Sequence, residues 1–528
     1  MKYRNGVLSA IFGVIQQVLT LIFGLIVPRL FIQTFGSEMN GLLSSLGNIY
    51  SYLALVEAGI GTTAIQALYG PLGRDDKRSI NQIMAATAHY YNRAGFIYLA
   101  GVLLIAIIYP LTVSTTIPSG TIFALTILSG SGGVINFWVQ GKYMVLLQAE
   151  GKKYLMSIVT TVVYVASNIT KIVLLLLGYN VIAIHIGYFI ISLLQMIFYY
   201  MYMRKGYSWL NLSADPNYEA LNQSKAVFVQ QIMWMICSNT DILVLTYVAK
   251  DLKAVSVYAV YLMIYSAIEK LFSTLFGSFH YLLGQKYNTD KAGYMLLHRV
   301  YESLSMYGSF ALYTTAFVLI TPFMRVYTAG ITDTQYIDPY LPFLFTIMHL
   351  LSSTREASSR VINFAGHFKQ MQWRAVAESA INLAVSVVLV LKLGIYGVLI
   401  GTIIAYIYRT NDIIIYANKK VLCQSCWNTY KKVIINTCCF AMVVVISRTI
   451  DLTTNGFFNF FIMGIPCGLL ICIVYLLVMS IFEKDAFRFI KTSFGKQKWD
   501  KEALNMKGIV LAGGAGTRLY PLTMVTST

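Results

Sequence analysis

Long apolar runs separated by short polar clusters organise this chain from end to end. A helix that crosses a bilayer needs about 20 mostly apolar residues. Fourteen segments meet that need: 7–32, 41–68, 83–111, 121–147, 154–177, 181–203, 226–248, 255–283, 300–327, 339–364, 371–391, 395–417, 433–450 and 457–482. The pattern predicts an all-α polytopic membrane protein of about 14 transmembrane helices. The first run follows Lys2 and Arg4 directly. It is longer than the 7–15 residues of a signal-peptide core and meets no small-residue cleavage site, so it reads as a retained helix.

The polar clusters between runs alternate in character. One set holds Lys2, Arg4, Arg74, Lys77, Arg78, Lys142, Lys152, Lys153, Arg204, Lys205, Lys225, Lys286, Lys291, Arg299, Lys369, Arg374, Lys419, Lys420, Lys431 and Lys432. The opposite set holds only Lys250, Lys253, Arg325, Lys392 and Arg448. Basic loops stay on the cytoplasmic side, so both termini are expected inside. The longest connection, around 204–224, divides the first twelve spans into six and six. The expected organisation is an N-terminal six-helix lobe (1–203), a cytoplasmic linker (204–224), a C-terminal six-helix lobe (225–420), two extra helices (421–482), a basic tail (483–505) and a short distinct segment (506–528). Transporters are often built from two such repeats with the substrate site at mid-membrane between them.

Composition agrees with the pattern and removes other classes. Hydrophobic residues make up 57% of the 528, and charged residues only 12%, about half the share usual in soluble domains. The net charge of +18 could indicate nucleic acid, but the cations sit in membrane loops, and no nucleic-acid partner is expected. The seven cysteines imply no disulfide framework. Cys423 and Cys426 have metal-ligand spacing but no second pair or histidine in their loop, so no metal or cofactor is expected. The outer connections are short, which speaks against a membrane polymerase working on exported glycan.

Charges at membrane depth are the informative residues, since each costs roughly 2.5–3.5 kcal/mol at a helix centre on insertion scales. The most central are Glu57, Lys171, Asp241, Glu269, Lys270, Arg355, Glu356, Arg360 and Glu378, with Arg29 nearer the outer end of the first run. Glu356 and Arg360 lie four apart on one helix face and can neutralise each other. Arg29, Lys171, Lys270, Arg355 and Arg360 are the candidate cations of a cavity for an anionic substrate. A diphosphate needs several fixed positive charges, and arginine meets it bidentately. The competing reading is structural: interhelical ion pairs, and side chains that snorkel to the interface. Asp241 and Glu57 are candidate sites for a coupling H⁺ or Na⁺; Asp241 serves equally well as a hydrogen-bonded anchor.

Three stretches carry a resemblance: Asn40-Gly-Leu-Leu-Ser-Ser through Glu57-Ala-Gly-Ile-Gly to Ala67-Leu-Tyr-Gly-Pro-Leu; Gln148-Ala-Glu-Gly-Lys-Lys-Tyr154; and Thr240-Asp-Ile-Leu-Val-Leu with Val255-Ser-Val-Tyr-Ala-Val-Tyr261. Over about residues 1–480 the chain resembles the polysaccharide (repeat-unit) flippases of the multidrug/oligosaccharidyl-lipid/polysaccharide exporter superfamily. The resemblance implies a two-lobed bundle with a cationic cavity, opening alternately to the two leaflets. It implies an undecaprenyl-diphosphate-linked oligosaccharide as substrate, membrane lipid and glycan-assembly proteins as partners, and a bacterial cytoplasmic membrane as location. In relatives that flip peptidoglycan precursor, cations on helices one, two and eight line the cavity. Arg29 and Lys270 lie on helices one and eight here, while helix two carries Glu57. The rival within the superfamily is a drug/cation antiporter.

The last segment differs in kind. Met506-Lys-Gly-Ile-Val-Leu-Ala-Gly-Gly-Ala-Gly-Thr-Arg-Leu-Tyr-Pro-Leu-Thr523 resembles the start of glucose-1-phosphate thymidylyltransferase. The resemblance implies a nucleotide site at Gly513, Gly514, Gly516, Thr517 and Arg518, assisted by Mg²⁺. One strand and one glycine turn cannot bury a core, so the segment is expected to be an inactive, disordered fragment reached by read-through or frameshift into a neighbouring gene.

Overall fold

The computed structural model describes residues 2–57, 60–221, 232, 235, 239–447, 449, 456–484 and 486–488. The nucleotide-like motif at Gly513, Gly514, Gly516, Thr517 and Arg518 lies outside them, as do Arg448 and part of the seventh expected span. Every long element among the described residues is a helix, and eleven are long and apolar enough to cross a membrane. Three local features separate eleven from the fourteen expected. The first two spans share one helix, α1 (Lys2–Leu53), which turns at Gly36 (φ 83°, ψ 169°), a backbone conformation open mainly to glycine. The seventh span is described as helix only over 239–247 and at a few earlier positions. The tenth is interrupted at Arg355, which parts α10 (Leu341–Thr354) from α11 (Glu356–Phe364).

The chain forms two compact units, Met1–Ser256 and Val257–Thr528. In the first, α1 is followed by a short turn (Ala54–Glu57), α2 (Ile60–Gly73), α3 (Lys77–Thr112), α4 (Ser119–Ile135), α5 (Gly141–Ala149), α6 (Lys153–Leu176) and α7 (Val181–Gly206). One wide π-helical turn, Asn136–Gln140, joins α4 to α5. Asp76 caps α3 by accepting the Ser79 amide at 3.1 Å and its hydroxyl at 2.6 Å. Those hydrogen bonds hold its carboxyl below the usual aspartate range. The 204–221 connection folds back on α3: the Asn217 amide donates to the Gln82 carbonyl, and the Tyr218 ring meets His89 and Tyr90 edge-on. Residues 239–256, assigned by sequence to the second lobe, pack on the first unit, where Thr246 bonds Ser45 and Ser256 accepts from Asn40.

The second unit begins within α8 (Leu252–Thr289) and continues through α9 (Lys291–Tyr327), α10, α11, α12 (Phe368–Leu393), α13 (Ile395–Tyr416), α14 (Trp427–Ser447) and α15 (Phe457–Phe482). Close approach holds the α12–α13 hairpin. A Cβ at Gly397 would sit 2.4 Å from the Leu389 backbone, and one at Gly401 2.2 Å from the Ser386 hydroxyl. Small residues at such crossings are how membrane helices gain contact where lipid gives no hydrophobic drive. Asn382 adds a buried bond to Thr402 at 2.9 Å. The last two helices are fastened from inside: Lys432 of α14 reaches Glu302 of α9 at 2.7 Å, with both side chains almost fully buried, and Glu483 lies 3.9 Å away. Lys432 therefore does not belong to a basic loop, as its position in sequence had implied.

Candidate functional site

About five turns from its start, α8 passes a polar cavity of about 140 Å³ within the second unit. Its wall includes Glu269, Ser273, His280, Tyr301, Glu356 and Arg360. The interruption at Arg355 shapes this space. Ser353 and Thr354 return their hydroxyls to the carbonyls of His349 and Leu350, each at 2.8 Å, and such back-bonds loosen and bend a helix. Glu356 then opens α11 facing the cavity. It holds Arg360 at 2.7 Å, as the four-residue spacing predicted, and His280 at 3.5 Å; His280 also meets the Tyr301 hydroxyl at 2.8 Å. On the other wall Glu269 lies 3.7 Å from His349, whose ring is sandwiched between Tyr265 and Tyr313.

Behind the cavity runs a chain of ion pairs that the sequence did not announce. Arg355 donates to Glu378 of α12 at 2.6 Å; Glu378 is shared with Arg409 of α13 at 3.3 Å; Arg409 bonds Asp412 at 3.1 Å, and Asp412 also holds Arg374. The Arg355 guanidinium lies 4.6 Å over the Tyr406 ring. Counting Glu269 and Lys270, five cations here face four carboxylates, so the cluster is close to neutral and is not by itself an anion trap. Lys270 is exposed beside Glu269. Arg409, Asp412 and Glu302 lie within apolar runs and were passed over at the sequence level. Arg374 was placed in a loop, yet it sits in the first turns of α12. The missed signal was acid and base at matching depths of neighbouring helices.

The other candidates belong to the first unit. Arg29 is half-buried on α1, and the Lys171 ammonium lies 4.9 Å over the Tyr188 ring. These two helices pack together, and their register is marked by Tyr164, which reaches the Thr20 carbonyl at 3.4 Å and meets Phe23. The first and fifth spans run in the same direction. At about 1.5 Å per residue, Arg29 above Thr20 and Lys171 above Tyr164 come to depths about 3 Å apart. Glu57 closes the short turn after α1 and accepts a hydrogen bond from the buried Tyr91 hydroxyl. Asp241 is buried, next to Thr240, whose hydroxyl lies 3.1 Å from that of Tyr52. The structure thus gathers Lys270, Arg355 and Arg360 in one unit and Arg29, Lys171, Glu57 and Asp241 in the other.

The helical fold is similar to that of solved membrane transporters. Among solved structures, the inward closed lipid II flippase MurJ superposes with a TM-score of 0.63 at 18% identity, over 90% of this chain and 99% of its own. An inward-facing multidrug resistance MATE transporter also gives 0.63, at 14% identity, over 78% of this chain and 98% of its own. A superfamily transporter from Pyrococcus furiosus, described as having a binding pocket of reversed polarity, gives 0.54 at 12% identity, over 79% and 95%. No protein-family model matches the sequence, and no curated protein matches it.

Proposed function

We propose that the chain flips an undecaprenyl-diphosphate-linked oligosaccharide repeat unit to the outer leaflet for cell-surface polysaccharide synthesis, by alternating access in a bacterial cytoplasmic membrane. The extent of the structural likeness is the observation that carries this reading. The MATE transporter accounts for 78% of the chain, about 410 residues, which is the size of the twelve-helix core. The lipid II flippase accounts for 90%, about 475 residues, enough to include α14 and α15. That flippase is named for lipid II, and a lipid-linked substrate is what is proposed here.

In this reading Arg29, Lys171 and Lys270 contact the diphosphate. Arg355 and Arg360 contribute through the donors their carboxylate partners leave over, since a guanidinium carries five N–H groups. Asp241 and Glu57 couple transport to H⁺ or Na⁺, and glycan-assembly proteins receive the product. The test uses the full chain in vesicles containing a fluorescent polyprenyl-diphosphate-linked oligosaccharide, read by quencher access to the label. Chain-dependent flipping, slowed at least tenfold by Arg29→Gln with Lys171→Gln, supports the proposal. Flipping that is absent, with proton-driven exchange of a cationic dye in its place, overturns it in favour of the drug/cation antiporter.

A further inference from the structure

The exposed face of α3 changes character within one turn. Toward its start the exposed positions are Lys77, Arg78, His89, Asn92 and Arg93; from Phe96 (64% exposed) onward they are Ile97, Leu103, Leu104, Ile107, Ile108 and Leu111. An outward face that turns wholly apolar marks where hydrocarbon begins. Arg93 therefore stands at the head-group level of the leaflet on the basic-loop side, facing lipid. A second cation reaches the same place. Lys142, in the first turn of α5, points its ammonium at the Asn92 side chain at 3.5 Å, and the Tyr143 ring lies 5.8 Å from it. Trp138 and Phe96 pack edge-on just below, with ring centroids 5.2 Å apart, the arrangement of an interfacial aromatic belt. Among the described residues, no carboxylate lies within ion-pairing distance of Arg93 or Lys142.

Two cations without acids at head-group depth, above an apolar strip, form the complement of one molecule. We infer that Arg93 and Lys142 bind the phosphate of an anionic phospholipid, whose acyl chains lie along the exposed strip from Phe96 to Leu111. Basic pockets between helices on the cytoplasmic side are where head groups of this charge are held. A zwitterionic lipid presents the same phosphate with a tethered cation that these two side chains repel, so the site discriminates by net charge. The inference rests on the membrane architecture alone and is independent of what the protein carries.

The experiment is native mass spectrometry of the full chain from mixed micelles containing phosphatidylglycerol and phosphatidylcholine in equal amounts. The wild-type chain is expected to retain phosphatidylglycerol in several-fold excess. Arg93→Gln with Lys142→Gln should lower that occupancy about tenfold, while Arg93→Lys with Lys142→Arg keeps most of it. Lys77→Gln with Arg78→Gln, which removes equal charge on the water side of the boundary, should change it less than twofold. All four residues are outside the cores of their units, and circular dichroism of each variant reports helix retention. Equal retention of the two lipids by the wild-type chain, or an equal loss in both neutralised pairs, overturns the site.

Discussion

The carboxylates of the two units keep different company. In the first unit Glu57 is held by the hydroxyl of Tyr91, and Glu38 by those of Thr115 and Thr116. In the second, several are held by cations: Glu378 by Arg355 and Arg409, Asp412 by Arg409 and Arg374, Glu356 by Arg360, and Glu302 by Lys432. A hydroxyl leaves the formal charge of its partner uncancelled, whereas a cation cancels it. Glu57 and Glu38 in the first unit thus rest on hydroxyls, while Glu150, at the end of α5, pairs with Lys152 at 2.8 Å. The second unit ties Glu378, Asp412 and Glu302 into braces between helices.

The largest expected effect strikes the second unit. Lys432→Met strands the Glu302 carboxylate in a site where each partner is under 5% exposed; breaking a buried pair on one side costs about 3–5 kcal/mol. Denaturant unfolding in detergent should show that loss, and adding Glu302→Leu should recover most of it. A single variant as stable as the parent would dissolve the contrast. Next comes Tyr91→Phe in the first unit, which removes one hydroxyl from Glu57 and is expected to cost about 1–3 kcal/mol, measured the same way. A cost matching that of Lys432→Met would mean that hydroxyls brace as firmly as cations. The smallest effect is one of pH at Asp76. Because hydrogen bonds hold its pKa below the ordinary aspartate value, its support of α3 is present above about pH 4 and fades as pH falls through the lowered value. Amide exchange in the first turn of α3 should quicken over that acid range, and Asp76→Asn should flatten the dependence.

Hydropathy was enough to find the spans, because lipid imposes one length on every helix. The turn at Gly36 fell in the gap left between the first two runs, as a glycine between a phenylalanine and a serine permits. The interruption at Arg355 was not legible: run length says nothing of a ladder broken by Ser353 and Thr354, which keep the segment apolar on average. The Glu356–Arg360 pair was readable since both groups lie on one helix. The Arg355–Glu378–Arg409–Asp412 chain was not, because it joins the break between α10 and α11 to α12 and α13, and depth on separate helices is not written in sequence spacing. Lys432 misled for a related reason: a lysine at a helix start looks like a loop cation until another helix brings Glu302 to it.

The pause in the backbone between α10 and α11 has a wider consequence. Neither piece, at 14 and 9 residues, is long enough to cross a bilayer alone, and the ends of both expose peptide groups that hydrocarbon cannot satisfy. Irregular peptide at that depth survives only beside protein or water, and the adjoining hollow has room for several water molecules. A helix that must be hydrated in its middle cannot turn that side toward fat, so the orientation of this broken rod is fixed by solvation before any packing preference acts.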